Sequence, residues 1–174
     1  MSAQIVVCNY NLNITGTEAP AGLVSSQPYA QNISFAQNMQ NGTGTTLQVD
    51  QLYVGSFSLA STTQTLNFNT GLTGIFGESL AFARLRLFCV QITSTTLNLG
   101  LKVEAGASNG VTWLGASAAP NMAWSGGGGL VLVDPGSTGA TNGLYVSASH
   151  CNVTFDSGSS TIAFLVFAAG NTAS

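Results

Sequence analysis

Charge is nearly absent from this chain. Three of its 174 residues are Lys or Arg and six are Asp or Glu, 5% in all, where an ordinary globular protein carries about 25%. With so few cations and a pI near 4.6, nucleic-acid binding loses the phosphate neutralisation that supports it. Histidine is scarcer still. His150 stands alone, and a Ser-His-Asp or Cys-His site would need it. The adjacent Cys151 would point to the opposite face of a strand, Asp156 lies in a turn beyond it, and no Gly-x-Ser-x-Gly elbow occurs.

The remaining chemistry is thin for similar reasons. Cys8, Cys89 and Cys151 cannot all pair within one chain and form no Cys-x-x-Cys, so each reads as a buried thiol. One histidine and three dispersed cysteines make no zinc set, and the acidic residues stand singly, which excludes a calcium loop of several carboxylates. "SGGGGL" (125–130) lacks a following Lys-Ser/Thr and leads into a strand, so it is a turn and not a phosphate cradle. No cofactor, no metal and no enzymatic activity are expected.

Long apolar runs are missing too. Hydrophobic residues make up 45% of the chain and mean hydropathy is +0.32, yet "IAFLVFAA" (162–169) is far short of the roughly 20 residues of a spanning helix. No membrane span is expected. "MSAQIVVCNY" has no basic start and no long apolar core before a cleavage site, so no signal peptide is expected either. Synthesis in the cytosol follows as the expectation. Asn-x-Ser/Thr occurs at Asn13, Asn32, Asn41 and Asn152, but Ser and Thr are frequent enough here for chance to supply such tripeptides.

What fills the space left by charge is Ser, Thr, Asn, Gln and Gly. Such a surface bonds well to water and to other proteins, and offers little repulsion between copies. It suits a subunit covered by neighbours.

Apolar residues alternate with polar ones at period two almost throughout. Strands are expected at 4–14, 33–37, 45–59 (bent or broken), 63–69, 82–92, 97–105, 111–114, 129–134, 144–149, 151–155 and 161–169. Turn formers separate them: Asn109-Gly110, Asp134-Pro135-Gly136, Asn142-Gly143 and Asp156-Ser157-Gly158. "FGESLAF" (76–82) has room for a single helical turn. The fold class is all-β: an antiparallel, jelly-roll-like β-sandwich with an N-terminal strand and an extended arm. Residues 1–44 are read as strand plus arm and 45–174 as the sandwich. The polar segment 15–44 is too long for an ordinary loop and reads as an arm reaching a neighbour.

Two of the three cations fall in "FARLRLFCVQI" (82–92). Strict alternation puts Arg84, Arg86, Phe88, Val90 and Ile92 on one face. A tight turn at 94–96 would fold the next strand back, setting Arg86 opposite Glu104 and Phe88 opposite Lys102. Arg84, Arg86, Lys102 and Glu104 thus form a candidate strip that fixes strand register or bridges subunits. Tyr10, Tyr29, Trp113 and Trp124 are candidate contact aromatics, able to stack on sugar rings or, more commonly, to pack in the core.

One resemblance bears on function. A "TLNF" strand (65–68) leads to "LTGIFGESLAFARLRLFCVQI" (72–92), then "TLNLGLKVEAG" (96–106), "GGGLVLVDP" (127–135) and a closing "TIAFLVF" (161–167). Residues from about 62 to 170 resemble small β proteins of tailed-phage structural gene clusters and related bacterial sequences. The resemblance implies a virion structural component, foremost a capsid decoration (cement) protein. It would act as a homotrimer on the major capsid protein or other virion proteins. A tail or fibre receptor-binding module of lectin-like character, with a glycan as ligand, is the second expectation. An extracellular filament subunit is the third.

Overall fold

The computed structural model describes residues 8–18, 29–42, 48–94, 100–114, 122–124, 127–134 and 144–172. Its elements are β1 (Cys8–Glu18), β2 (Tyr29–Asn41), β3 (Gln48–Val49), β4 (Gln51–Ala60), β5 (Thr63–Asn67), β6 (Leu72–Thr73) and β7 (Ser79–Leu80). They continue with β8 (Phe82–Ile92), β9 (Leu101–Ala105), a 3-10 turn at Thr112–Leu114, β10 (Met122–Trp124), β11 (Gly129–Val133), β12 (Asn152–Asp156) and β13 (Thr161–Thr172).

Eight of these strands make two four-stranded antiparallel sheets. A front sheet runs β11-β8-β13-β4 and a back sheet β10-β9-β12-β5. Counted along the chain, the first of the eight (β4) pairs with the eighth (β13) and the second (β5) with the seventh (β12). The third (β8) pairs with the sixth (β11) and the fourth (β9) with the fifth (β10). That is one long antiparallel hairpin rolled into two layers, a jelly roll. The short β6–β7 ladder is inserted between the second and third strands.

The layers meet over aromatic residues. Phe155 of the back sheet stacks on Phe164 of the front sheet at 5.0 Å, and Phe57 lies 5.3 Å from Phe164. Phe68 and Phe88 meet edge to face at 5.8 Å. Leu66, Phe82, Leu85, Val90, Ile92, Leu101, Val103, Val153, Ile162 and Val166 complete the core. Burying a large apolar side chain contributes about 1.5–3 kcal/mol, so a core of this size holds the sandwich without charge.

β1 and β2 form a separate two-stranded ribbon, in register from Cys8↔Met39 to Glu18↔Tyr29. Only the last two residues of β2 reach further, pairing in parallel with β3 through Gln40↔Gln48 and Asn41↔Val49. Residues 15–44 were expected as an arm, and their strand portions lie in this ribbon. The break expected in 45–59 falls at Asp50, between β3 and β4.

Three local expectations are overturned. Thr112–Leu114 is a 3-10 turn and not a strand, because Trp113 must turn back for its indole Nε1–H to donate to the Tyr145 carbonyl at 3.1 Å. Residues 144–149 make only isolated bridges, such as Arg84↔Tyr145. "FGESLAF" is a tight turn and a ladder, not a helical turn, with Gly74 N donating to Glu78 O at 2.8 Å. The Asp134-Pro135-Gly136 turn lies mostly, and Asn142-Gly143 wholly, outside the described residues. The other two turns are present: Asn109 takes a φ of 52° and Gly158 one of 57°.

Candidate assembly interface

The outward faces of the two sheets carry different chemistry. On the back sheet, Thr65 sits across from Thr154, which sits across from Glu104, and the two threonine hydroxyls bond at 2.9 Å. Thr63, Asp156 and Lys102 form the next row, where Lys102 Nζ lies 3.8 Å from Asp156 Oδ2. A depression of about 480 Å³ opens there, with Thr63, Glu104, Ser108, Asn152 and Thr154 among its lining.

The front sheet is apolar over two rows of its outside, beyond which come Ser56, Leu165, Gln91 and Gly129. Its register aligns Val54, Phe167, Cys89 and Val131 in one row across all four strands. Val54 is 46% exposed and Val131 39%, and Leu165 in the next row is 37% exposed. The row on the other side, Leu52, Ala169, Leu87 and Val133, is covered. Met39 from the end of β2 and Val49 of β3 are fully buried in a cluster with Leu87 and Ala169, against which Leu52, Val133 and Phe167 also pack. The base of the ribbon therefore roofs one apolar row and leaves the two ends of its neighbour, Val54 and Val131, exposed, while Phe167 and Cys89 between them are half-buried.

A buried polar node holds that base. Ladder β8–β13 slips twice, so that Leu87 faces Ala169 while Leu85 faces Gly170, leaving Arg86 as the extra residue of a bulge. The bulge reverses which side of β8 points inward: Leu85 and Phe88 both enter the core, three positions apart. Gly170 is required at the crossing, since a Cβ there would stand 2.1 Å from Arg84 O. Arg86 is 1% exposed. Its Nε donates to Asn171 Oδ1 at 2.9 Å and Nη1 to the Asp134 carbonyl at 3.4 Å. Burial pushes the guanidinium below its ordinary pKa, Arg84 pushes the same way, and Asp134 opposes both; the group stays cationic at any working pH. Asn171 Nδ2 in turn donates to the carbonyls of Gly42 and Gln48, each at 2.9 Å. Asp50 accepts from Thr172 N at 2.8 Å and from the Thr172 hydroxyl.

The arginines of the apolar run are thus accounted for, but not by the expected strip. β8 and β9 lie in different sheets, so Arg86 does not face Glu104 and Phe88 does not face Lys102. A local hairpin would put Phe88 and Val103 on one sheet with nothing to cover them; crossing to the other layer lets them face each other across the core. Lys102 pairs with Asp156 instead, and Glu104 lines the back-sheet depression. Arg84 is half-buried, opposite Asn171.

Among the aromatics, Trp113 packs edge to face on Phe88 at 5.2 Å, and Trp124 in β10 packs against the same core. Tyr10 and Tyr29 are positions of the ribbon, opposite Gln37 and Glu18. His150 Nδ1 meets the hydroxyls of Ser149 at 3.2 Å and Ser147 at 3.4 Å. These occupy the nitrogen that an orienting carboxylate would hold in a triad. Among the described residues, no three His, Cys, Asp or Glu gather as metal ligands, and no helix is long and apolar enough to cross a membrane. No family model, no curated protein and no solved structure matches this chain.

Sequence reasoning missed Asn171, Asp134 and the Val54–Val131 row. Asn171 carries no local signal, since its meaning depends on a ladder slip between strands 85 positions apart. The row was within reach, because Val54, Cys89, Val131 and Phe167 each occupy alternate positions of an expected strand.

Proposed function

We propose that this chain is a virion structural protein, most specifically a decoration protein that sits on capsid subunits as a homotrimer. The observation that carries the reading is the apolar row on the front sheet, exposed at Val54 and Val131. A stable monomer rarely leaves a contiguous apolar stripe in water, and such stripes mark contact sites. The sparse charge supports the same reading, because copies repel one another little. The resemblance of residues 62–170 to phage structural proteins supports the choice of a virion over other assemblies. Contact would close joints between capsid subunits, burying upwards of about 1,000 Å² as stable interfaces do. A glycan-capturing role through Trp113 and Trp124 finds less support, since both rings pack against the core.

Sedimentation velocity of the purified protein, alone and with capsids lacking it, tests the proposal. A trimer that co-sediments with capsids and raises their resistance to heat is the expected result. A monodisperse monomer that ignores capsids would overturn it.

A further inference from the structure

The ribbon is two-sided by register. Cys8, Tyr10, Leu12 and Ile14 stand opposite Met39, Gln37, Phe35 and Ile33, whereas Asn9, Asn11 and Asn13 stand opposite Asn38, Ala36 and Ser34. Residues directly across an antiparallel ladder belong to one face, so one face of the ribbon is apolar over residues 8–14 and 33–39, Gln37 apart, and turns polar beyond, at Gly16–Gln31 and Glu18–Tyr29, while the other face is small and polar. The apolar face begins at Met39, which is buried on the sandwich's own Leu87–Ala169 row. Beyond that point the next row of the front sheet is exposed at its two ends, Val54 and Val131, and half-buried at Phe167 and Cys89. The ends of that row therefore stay open in the chain's own sheet. The seven residues of its apolar stretch span about 23 Å, while four strands span about 15 Å from first to last. The ribbon is long enough to leave its own sheet and cross another.

We propose that the ribbon of one copy lies with its apolar face on the Val54–Phe167–Cys89–Val131 row of a second copy. The two surfaces match in kind: both are apolar, and neither contains Lys, Arg, Asp or Glu apart from Glu18 at the ribbon's far end. They are also continuous with a contact already made, since Met39 and Val49 pack on the row alongside. The Arg86–Asn171 node fixes the ribbon's exit, so each copy offers its ribbon in one direction and receives one on its front sheet. Such head-to-tail exchange closes into a ring when the rotation allows. The inference rests on the assembly reading and names the contact that builds the assembly.

Disulfide trapping between two kinds of copy tests it. In a background with Cys8→Ser and Cys89→Ser, one chain carries Ile14→Cys and the other Val54→Cys. The two are mixed at low concentration, concentrated and mildly oxidised. A covalent dimer in the mixture, absent from either chain alone, is the expected result; Leu12→Cys with Val131→Cys provides a second pair. Three results overturn the exchange: a bond formed only when both cysteines share one chain, a bond between two Ile14→Cys copies only, or no bond. Sedimentation of the same samples separates the failures. Oligomers without the mixed disulfide sink the exchange and leave the assembly reading standing, whereas monomers at every concentration sink both.

Discussion

The two outer faces of the sandwich are built from the same strand geometry and answer to different surroundings. The back face is a ladder of Thr63, Thr65 and Thr154 with one ion pair, Lys102–Asp156, which water can serve unaided. The front face is a ladder of valine, leucine and phenylalanine, half roofed by the ribbon's base. One cation, Arg86, is buried under that roof; another, Lys102, is held in the open. The difference teaches where scarce charge matters. On the back face it decorates. On the front face it fixes the direction in which an arm leaves the domain.

The largest effect should come from the buried cation. Arg86→Leu removes the donor to Asn171 Oδ1 and to the Asp134 carbonyl beneath the ribbon base. Removing one member of a buried charged network costs about 3–5 kcal/mol, a large share of a stability of roughly 5–15 kcal/mol. A urea titration should show the midpoint falling sharply. If Arg86→Leu unfolds at the same urea concentration as the parent, the node is not what holds the ribbon.

Next in size is the Val54–Val131 row. Val54→Asp leaves the fold intact, because the site is already exposed, but places an unpaired carboxylate in the proposed contact. Losing one buried valine is worth about 1.5 kcal/mol or more, so the dissociation constant of the oligomer should rise at least about tenfold. Thr154→Asp on the back face serves as the control and should leave it unchanged. Equal weakening by both would erase the distinction between the faces.

Much of this could be read in advance. Period-two alternation located β8 and β11 almost to the residue, because the core side of each strand is apolar at every second position outside the bulge. Layer assignment could not be read. Alternation says that a strand has two faces but not which sheet it joins, and the expected strands 82–92 and 97–105 were paired with each other, whereas β8 and β9 belong to opposite layers. The bulge at Arg86 was hidden for a related reason: an extra residue in a strand breaks the alternation only where a partner strand slips. β10, with three residues in a Gly- and Ala-rich stretch, was too short to register.

A gentler effect concerns pH. Burial raises the thiols of Cys89 and Cys151 above their ordinary value, with a hydrogen bond from Asn67 partly offsetting this for Cys151, and burial raises the Tyr53 hydroxyl likewise. In each case the folded value exceeds the unfolded one. Stability is therefore complete below the unfolded value, 9.0 for the thiols, and is lost as pH climbs from there through the folded value. The unfolding temperature should decline above about pH 9, and Cys151→Ala should flatten that decline more than it changes stability's dependence at neutral pH. A profile that stays level through this range in the parent would mean that the thiols are as wet folded as unfolded.

The smallest effect probes the back face directly. Lys102 and Asp156 sit 3.8 Å apart with the lysine side chain 46% exposed, a geometry in which Coulomb attraction is screened and holding two side chains in place costs entropy. Such pairs contribute about 0–1 kcal/mol. Lys102→Ala should therefore move the urea midpoint barely at all, and high salt should leave it where it is. The comparison with Arg86→Leu is then between two cations in one domain that differ mainly in access to water. If Lys102→Ala proved as costly as Arg86→Leu, solvent access would not be what separates them, and the back-face depression beside Glu104 would have to be reconsidered as a place where charge is held for a partner.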